Sequence, residues 1–387
     1  MSLAVSSPEA GPAIDFSAVR RPLGEARGLP NAVYTDPDYH RREMARVLHG
    51  GWACLASASE VAAPGDVKPI EFGGAPLILL RDRGGEVRVF HNVCRHRGAR
   101  LVQEAACRRP GLVCPYHAWS YALDGRLVKT PDVGGPGRHE IEGLDKATTG
   151  LLPVRSALWA DFVFVDLSGS APPLEDYLAP LTARWARYDF AALKRVEGME
   201  LTVQANWKLA TENFLESYHL PVVHPALNGY SRLDDHYYFE AWPAVGAGVT
   251  SYAPPRTREN DGPPLPRFPG LDDESAAIGE YPVVFPNLWL GVQGDHFYGI
   301  VVYPEGPTTS REALHLYAAA PVAGDLALAP TVEQTMARWR LVFEEDIGPV
   351  QAMQAGRASP AFDGGVLTRY HDPASHRFMQ AIAERMA

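Results

Sequence analysis

Two short segments each pair a thiol with an imidazole: Cys94-Arg95-His96 and Cys114-Pro115-Tyr116-His117. Seventeen residues, 97–113, separate them. Two cysteines and two histidines suit tetrahedral zinc. They equally suit a [2Fe–2S] cluster in which one iron takes both thiolates and the other both imidazoles. The usual zinc-finger layout pairs Cys with Cys and His with His. Here each segment mixes the two, as the mixed-ligand cluster requires. Cys107 lies between the segments, but Pro110 denies it a Cys-x-x-His partner. Cys107 and Cys54 read as ordinary small apolar residues.

In CRHRGARL at 94–101 and CPYHAWSY at 114–121 the chain resembles the oxygenase (α) subunits of Rieske non-haem iron oxygenases. The resemblance implies that Cys94 and Cys114 bind one iron of a Rieske cluster, and His96 and His117 the other. The family usually carries glycine after the second histidine, where this chain has Ala118. That change is small enough for the cluster to form. The segment ANWKLATENFLESYHLPVVH, 205–224, is similar to the family's catalytic segment. By that resemblance His219 and His224 are ligands of a mononuclear Fe(II). Five residues apart, they stand about 140° apart round a straight helix and cannot face one point from it. Pro221 between them predicts that the helix ends or bends there.

A 2-His-1-carboxylate site needs one more ligand and leaves positions open for oxygen. WRLVFEEDIGPVQAMQAG at 339–356 offers Glu344, Glu345 and Asp346. Helical phase separates them. Trp339, Val342, Phe343, Val350 and Met353 fall within about 60° of Asp346. A carboxylate in an apolar face is costly unless paired or metal-bound. Asp346 is therefore the candidate ligand, and it also matches the family's position. Glu344 and Glu345 read as solvated, and Pro349 predicts a kink. Glu216, three residues before His219, corresponds to the family's acidic bridge between an iron-ligand histidine and a cluster histidine of the neighbouring subunit. Asn213 matches a family asparagine near the iron.

These residues need elements to hold them. Asp36-Pro37 opens a helix over 38–48. From about 50 to 130 the texture is short β runs. Leu77–Arg81 and Val87–Val93 flank Gly84-Gly85, while Trp119–Leu123 and Leu127–Thr130 flank Asp124-Gly125. Both patterns predict hairpins. Residues 131–150 are a Gly/Pro-rich excursion. Helices are expected over Leu174–Tyr188, Trp207–Tyr218 and Thr331–Ala355. Residues 253–275 read as a long loop. Strands are expected over Leu288–Gln293, His296–Tyr303 and Ala313–Ala320. The fold class is α+β: an N-terminal arm and helix (1–45), a small all-β Rieske domain (46–157) and a helix-grip catalytic domain (158–387). In the last, the resemblance implies a curved antiparallel sheet over a long C-terminal helix.

Composition narrows the function classes. The chain has 387 residues and a net charge of -10, so a basic nucleic-acid-binding stripe is not expected. Hydrophobic residues at 46% and charged residues at 21% describe a globular protein rather than a disordered one. No apolar run reaches the ~20 residues of a membrane span. The N-terminus carries no signal-peptide pattern, and four cysteines do not make a disulfide scaffold. A cytoplasmic protein is expected.

The resemblance implies a terminal oxygenase that uses O2 to hydroxylate or oxidatively demethylate a small molecule. No GxGxxG strand–helix unit accompanies it. Electrons are therefore expected from NAD(P)H through a separate reductase of flavin or ferredoxin type. A homotrimer is implied by resemblance. ENFLESYH with Glu216 is similar to the branch that oxidises glycine betaine, carnitine and related N-methyl compounds. A quaternary ammonium calls for an aromatic cage, and Tyr281, Phe285, Trp289, Phe297, Tyr298 and Tyr303 are candidates on the expected sheet. Hydroxylation or O-demethylation of an aromatic acid uses the same iron chemistry and is the alternative. A non-catalytic Rieske carrier or zinc-stabilised module would lack iron at His219, His224 and Asp346.

Overall fold

The computed structural model describes residues 14–254, 263–319, 322–362 and 364–387. Residues 1–13 of the N-terminal arm, the centre of the 253–275 loop and Ala320 lie outside the described residues. The chain divides into two compact units, 54–171 and the remainder. Sequence reading places the smaller unit at 46–157. The hairpin of Arg155–Trp159 and Phe162–Asp166 crosses residue 157 and pairs as one piece.

The larger unit begins with helices α1 (Ala32–Thr35) and α2 (Pro37–Glu43). Asp36 caps α2 by accepting from the Asp38 and Tyr39 amides, and Pro37 sits in its first turn. A π-helical turn over Met44–Leu48 extends it. Val33, Tyr34, Tyr39 and Val47 join the main core, so this segment packs within the larger unit.

The smaller unit is all β. Strand β1 (Trp52–Ser57) opens at the division between the units. Then follow β2 (Val67–Phe72), β3 (Ala75–Arg81), β4 (Val87–His91), β5 (Leu112–Val113), β6 (Ser120–Tyr121), β7 (Leu127–Lys129), β8 (Arg155–Trp159) and β9 (Phe162–Asp166). Three small sheets result, ordered β1-β9-β8, β2-β3-β4 and β5-β6-β7. Both expected hairpins form, β3–β4 and β6–β7. Gly85 and Gly125 turn at φ +87° and +89°, where a side chain would be strained.

The larger unit resumes with α3 (Leu174–Arg184) and the long strand β10 (Leu193–Val203). Next come α4 (Trp207–Phe214), α5 (Leu220–Val223), α6 (Pro225–Asn228), β11 (His236–Ala241), β12 (Ala244–Val249) and α7 (Asp273–Ala276). Strands β13 (Gly279–Val284), β14 (Leu288–Val292), β15 (Phe297–Gly306) and β16 (Thr309–Ala319) precede the long α8 (Ala329–Gly356) and α9 (Pro373–Met386). The seven strands form one antiparallel sheet, β10-β16-β15-β14-β13-β12-β11. Alternation gives it two faces. One face carries Val245, Val283, Trp289, Tyr298, Ile300, Leu314 and Leu316, and packs in one core with α4, α8 and α9. One expectation needs correction. Helix α4 stops at Phe214, not Tyr218. Helix α8 contains Pro349, as expected.

Among the described residues, no helix is long and apolar enough to cross a membrane.

Candidate metal centres and substrate cleft

In the smaller unit the two Cys/His loops are built alike. The Gly98 amide donates to the Cys94 carbonyl at 3.0 Å, and the Ala118 amide to the Cys114 carbonyl at 3.1 Å. Each closing residue is left-handed, Gly98 at φ +74° and Ala118 at φ +55°. That conformation explains why glycine is favoured there, since alanine costs about 1–2 kcal/mol in it. Cys94 and Cys114 are buried, and their thiols are near each other. Burial pushes the Cys94 thiol up, while the neighbouring Tyr121 hydroxyl, 3.3 Å from Sγ, opposes this. The His96 and His117 rings are 4.8 Å apart, and His96 stacks on Trp119 at 4.6 Å. The thiols thus pair inside and the imidazoles outside. A two-iron cluster with unlike ends fits that segregation. Cys107 is exposed, which corrects its reading as an apolar filler.

In the larger unit His219, His224 and Asp346 bring one ligand atom each within 4.8 Å of one another. The chain breaks between α4 and α5, so the two histidines leave one helix axis. His219 caps the start of α5 and His224 its end. Pro221 therefore opens α5 rather than ending α4, a correction to the expected bend. His219 Nε2 lies 3.6 Å and His224 Nε2 2.9 Å from Asp346 Oδ1. Asp346 comes from α8, whose Trp339, Val342, Phe343 and Val350 are buried beside it. Met353, expected on the same face, is exposed.

Carboxylates stand behind both histidines. Glu216 Oε1 is 2.6 Å from His219 Nδ1, and its other oxygen accepts from the Tyr218 and His219 amides. This closeness comes from the non-helical 215–218 turn, not from helical spacing. Glu345 Oε2 is 2.7 Å from His224 Nδ1. Glu345 is thus no solvated bystander; its place on the flank of α8 reaches across to α5. Burial disfavours charge on His224, but Asp346 and Glu345 together raise its pKa. A metal ligand histidine is oriented by such partners on its far nitrogen.

Asn213 lines a small cavity with Phe214, Trp289, Asp346 and Glu312. Sequence reading missed Glu312. Burial, with a contribution from the Asp346 charge, pushes its carboxyl up to about 8. It alternates onto the inner sheet face with Leu314 and Leu316, a position whose polarity was the available signal.

Beside the three candidate ligands opens a cleft lined by Phe214, Tyr281, Tyr298, Trp339 and Phe343 among others. The Trp339 ring is 4.6 Å from Tyr298, 6.1 Å from Phe343 and 6.2 Å from Tyr281. Trp339 Nε1 donates to His296 Nε2 at 2.9 Å, and His296 Nδ1 is 2.6 Å from Asp295 Oδ1. This relay orients the indole. Tyr298 lies across Gly291, where a Cβ would come within 2.2 Å of its ring. Of the six cage candidates, only Tyr281 and Tyr298 line this cleft. Trp289 faces the adjoining cavity. Phe285 packs on Phe378, and Phe297 on Phe190. Tyr303 lies under Arg311. Trp339 and Phe343 come from α8 instead.

Comparison with known proteins follows the same division. Residues 51–144 match the Rieske [2Fe-2S] domain, and residues 190–387 the ring hydroxylating alpha subunit (catalytic domain). The chain is 37% identical over 208 residues to the glycine betaine monooxygenase oxygenase subunit of Chromohalobacter salexigens, covering 54% of this chain and 45% of that protein. That alignment thus spans less than half of the relative. It is 27% identical over 396 residues to the subunit of the same name from Pseudomonas aeruginosa, covering 92% and 89%. A crystal structure of the quaternary ammonium Rieske monooxygenase CntA superposes with a TM-score of 0.80 at 22% identity, covering 98% of this chain and 100% of that one. That likeness establishes the fold. With a Rieske [2Fe-2S] domain and a ring-hydroxylating catalytic domain in one polypeptide, the chain belongs to the α subunits of the Rieske ring-hydroxylating oxygenases.

Proposed function

We propose that the chain oxidises an N-methyl group of a small quaternary ammonium compound, releasing formaldehyde. The observation that carries this is the aromatic wall of Trp339, Tyr298, Phe343 and Tyr281 beside His219, His224 and Asp346. A quaternary ammonium has no proton to donate and is held by ring faces. The glycine betaine and carnitine relatives support the same class.

In this reading Cys94, His96, Cys114 and His117 hold the cluster, and His219, His224 and Asp346 hold Fe(II). The two centres supply electrons and oxygen activation when loaded. The protein's own groups position the reaction. Glu216 and Glu345 fix the two imidazoles, and the aromatic wall places the methyl group while excluding water. Asn213 and neutral Glu312 flank Asp346 without adding a charge there. Residues 54–171 would form the electron-carrying domain, and the remainder the catalytic one. A homotrimer is proposed by the family resemblance, in which the acidic residue at the position of Glu216, partly exposed here, bridges to a cluster histidine of a neighbouring subunit. A cytoplasmic setting belongs to the same proposal.

The test is a single turnover. The iron-loaded protein is reduced without oxygen, mixed with O2, and offered trimethylammonium compounds and aromatic acids. Formaldehyde with a demethylated amine is expected. A hydroxylated aromatic acid instead would assign the cleft to flat rings and overturn the proposal.

A further inference from the structure

Behind the cleft residues Tyr281 and Ser231 lies a buried polar cluster that the aromatic wall does not explain. Gln293 is 0% exposed, yet neither its amide oxygen nor its amide nitrogen has a hydrogen-bond partner. The Tyr281 and Tyr252 hydroxyls and Arg338 Nη1 are likewise buried without a well-formed hydrogen bond, with Tyr281 facing Gln293 and Ser231 and Arg338 facing Tyr230. Native interiors rarely leave such groups unpaired, and each one left so is destabilising. Here they are gathered. Glu280 pairs with Val292, so Tyr281 and Gln293 share a sheet face as diagonal neighbours. The Tyr281 hydroxyl lies near Gln293 and Ser231, within electrostatic range of Arg338. Tyr252 interacts with both Tyr281 and Arg338. Tyr281 and Ser231 are also cleft residues.

The inventory is rich in donors: a guanidinium N–H, two phenols, an amide NH2 and a serine hydroxyl. Arg338 also feels the Asp295 charge, but His296 bonds that carboxylate directly, and Nη1 is left without a well-formed hydrogen bond. A planar anion with two acceptor oxygens fits such a set, whereas one alcohol oxygen would leave most of it unmatched.

We infer that this cluster, reached from the cleft at Tyr281 and Ser231, is a carboxylate subsite built by Arg338, Tyr281 and Gln293, which selects zwitterionic ammonium carboxylates over ammonium alcohols. The inference rests on the proposed quaternary ammonium reading only for the substrate's other end.

The test is binding to the iron-loaded protein by calorimetry. Ligands are glycine betaine and γ-butyrobetaine, choline as the carboxylate-free cation, and the carbon isosteres 3,3-dimethylbutyrate and 5,5-dimethylhexanoate. At least one zwitterion should outbind choline. Arg338→Met should weaken that zwitterion and its isostere alike, by roughly 30–100-fold, as expected for a lost charge-assisted bond. Choline should stay within about threefold, since it makes no such bond. Gln293→Glu keeps the guanidinium but adds an anion, and should weaken the same carboxylates while sparing choline. Melting temperature and iron content of each variant report folding. Equal losses for choline and zwitterion, no loss for either variant, or no carboxylate binding at all would overturn the subsite. Arginine-dependent binding of an isostere without any ammonium binding would uphold the subsite and overturn the ammonium reading.

Discussion

Glu345 Oε2 lies 2.7 Å from His224 Nδ1, two residues that are 121 apart in sequence. The contact settles which nitrogen His224 can offer. With Nδ1 engaged, Nε2 faces Asp346 at 2.9 Å. Glu216 does the same for His219. Each candidate iron-ligand histidine thus has its own carboxylate.

Removing the partner should loosen the metal without touching the cluster. Glu345→Ala is expected to lower Fe(II) affinity about 10–100-fold, the usual effect of losing such support. Iron titration of the apoprotein measures it. Cluster absorbance should be unchanged. Wild-type affinity in the variant would mean that the contact only neutralises a surface acid.

The two centres should separate genetically. Cys94→Ala should abolish cluster absorbance, because one iron loses a thiolate. Asp346→Ala should keep that absorbance and lose the mononuclear iron. Full iron content in Asp346→Ala would refute the ligand assignment.

Glu216→Gln keeps the shape of its side chain and removes the charge. Both centres should load, but reoxidation of the reduced cluster upon substrate and O2 addition should slow by at least an order of magnitude, comparable with other lost partners of metal-ligand histidines. Stopped-flow absorbance follows it. An unchanged rate would limit Glu216 to holding His219.

Trp339 should matter for charge rather than bulk. A desolvated cation over an indole is worth about 2 kcal/mol. Trp339→Leu should therefore raise KM for a trimethylammonium substrate about 30-fold, by the same energy. Binding of the carbon isostere should change much less. Equal losses would make Trp339 plain packing.

His40 supplies a pH dependence away from the metals. Burial, with the Lys208 charge beside it, lowers its pKa to about 4. The folded state therefore binds this proton less readily than the unfolded chain. Its contribution to stability is present above the ordinary histidine pKa and is lost as pH falls from there towards 4. Between pH 7.5 and 5 this amounts to about 2 kcal/mol, or about 1 kcal/mol after discounting for its partial exposure. Urea unfolding of wild type and His40→Gln at both pH values should differ by that amount. Parallel pH dependence would show the ring to be freely solvated.

The sequence by itself determined what depends on local periodicity and on residue type. Turn residues set the β3–β4 and β6–β7 hairpins, because Gly85 and Gly125 accept a backbone conformation that other residues resist. The 3.6-residue repeat aimed Asp346 into the apolar face of α8, because a side chain's direction follows from its own helix. The Cys/His pairs marked candidate metal ligands, and the family resemblance assigned them to a cluster. Tertiary structure decided what meets between elements. Glu345 reads as solvated along α8 and becomes the partner of His224 only once α5 packs there. Trp339 joins Tyr298 and Tyr281 only because the order of the sheet brings β13 and β15 under α8. Gln293 and Arg338 come near Tyr281 by the same packing. Periodicity fixes direction within an element, but distance between elements depends on sheet order, register and core packing, none of which is a local property of the chain.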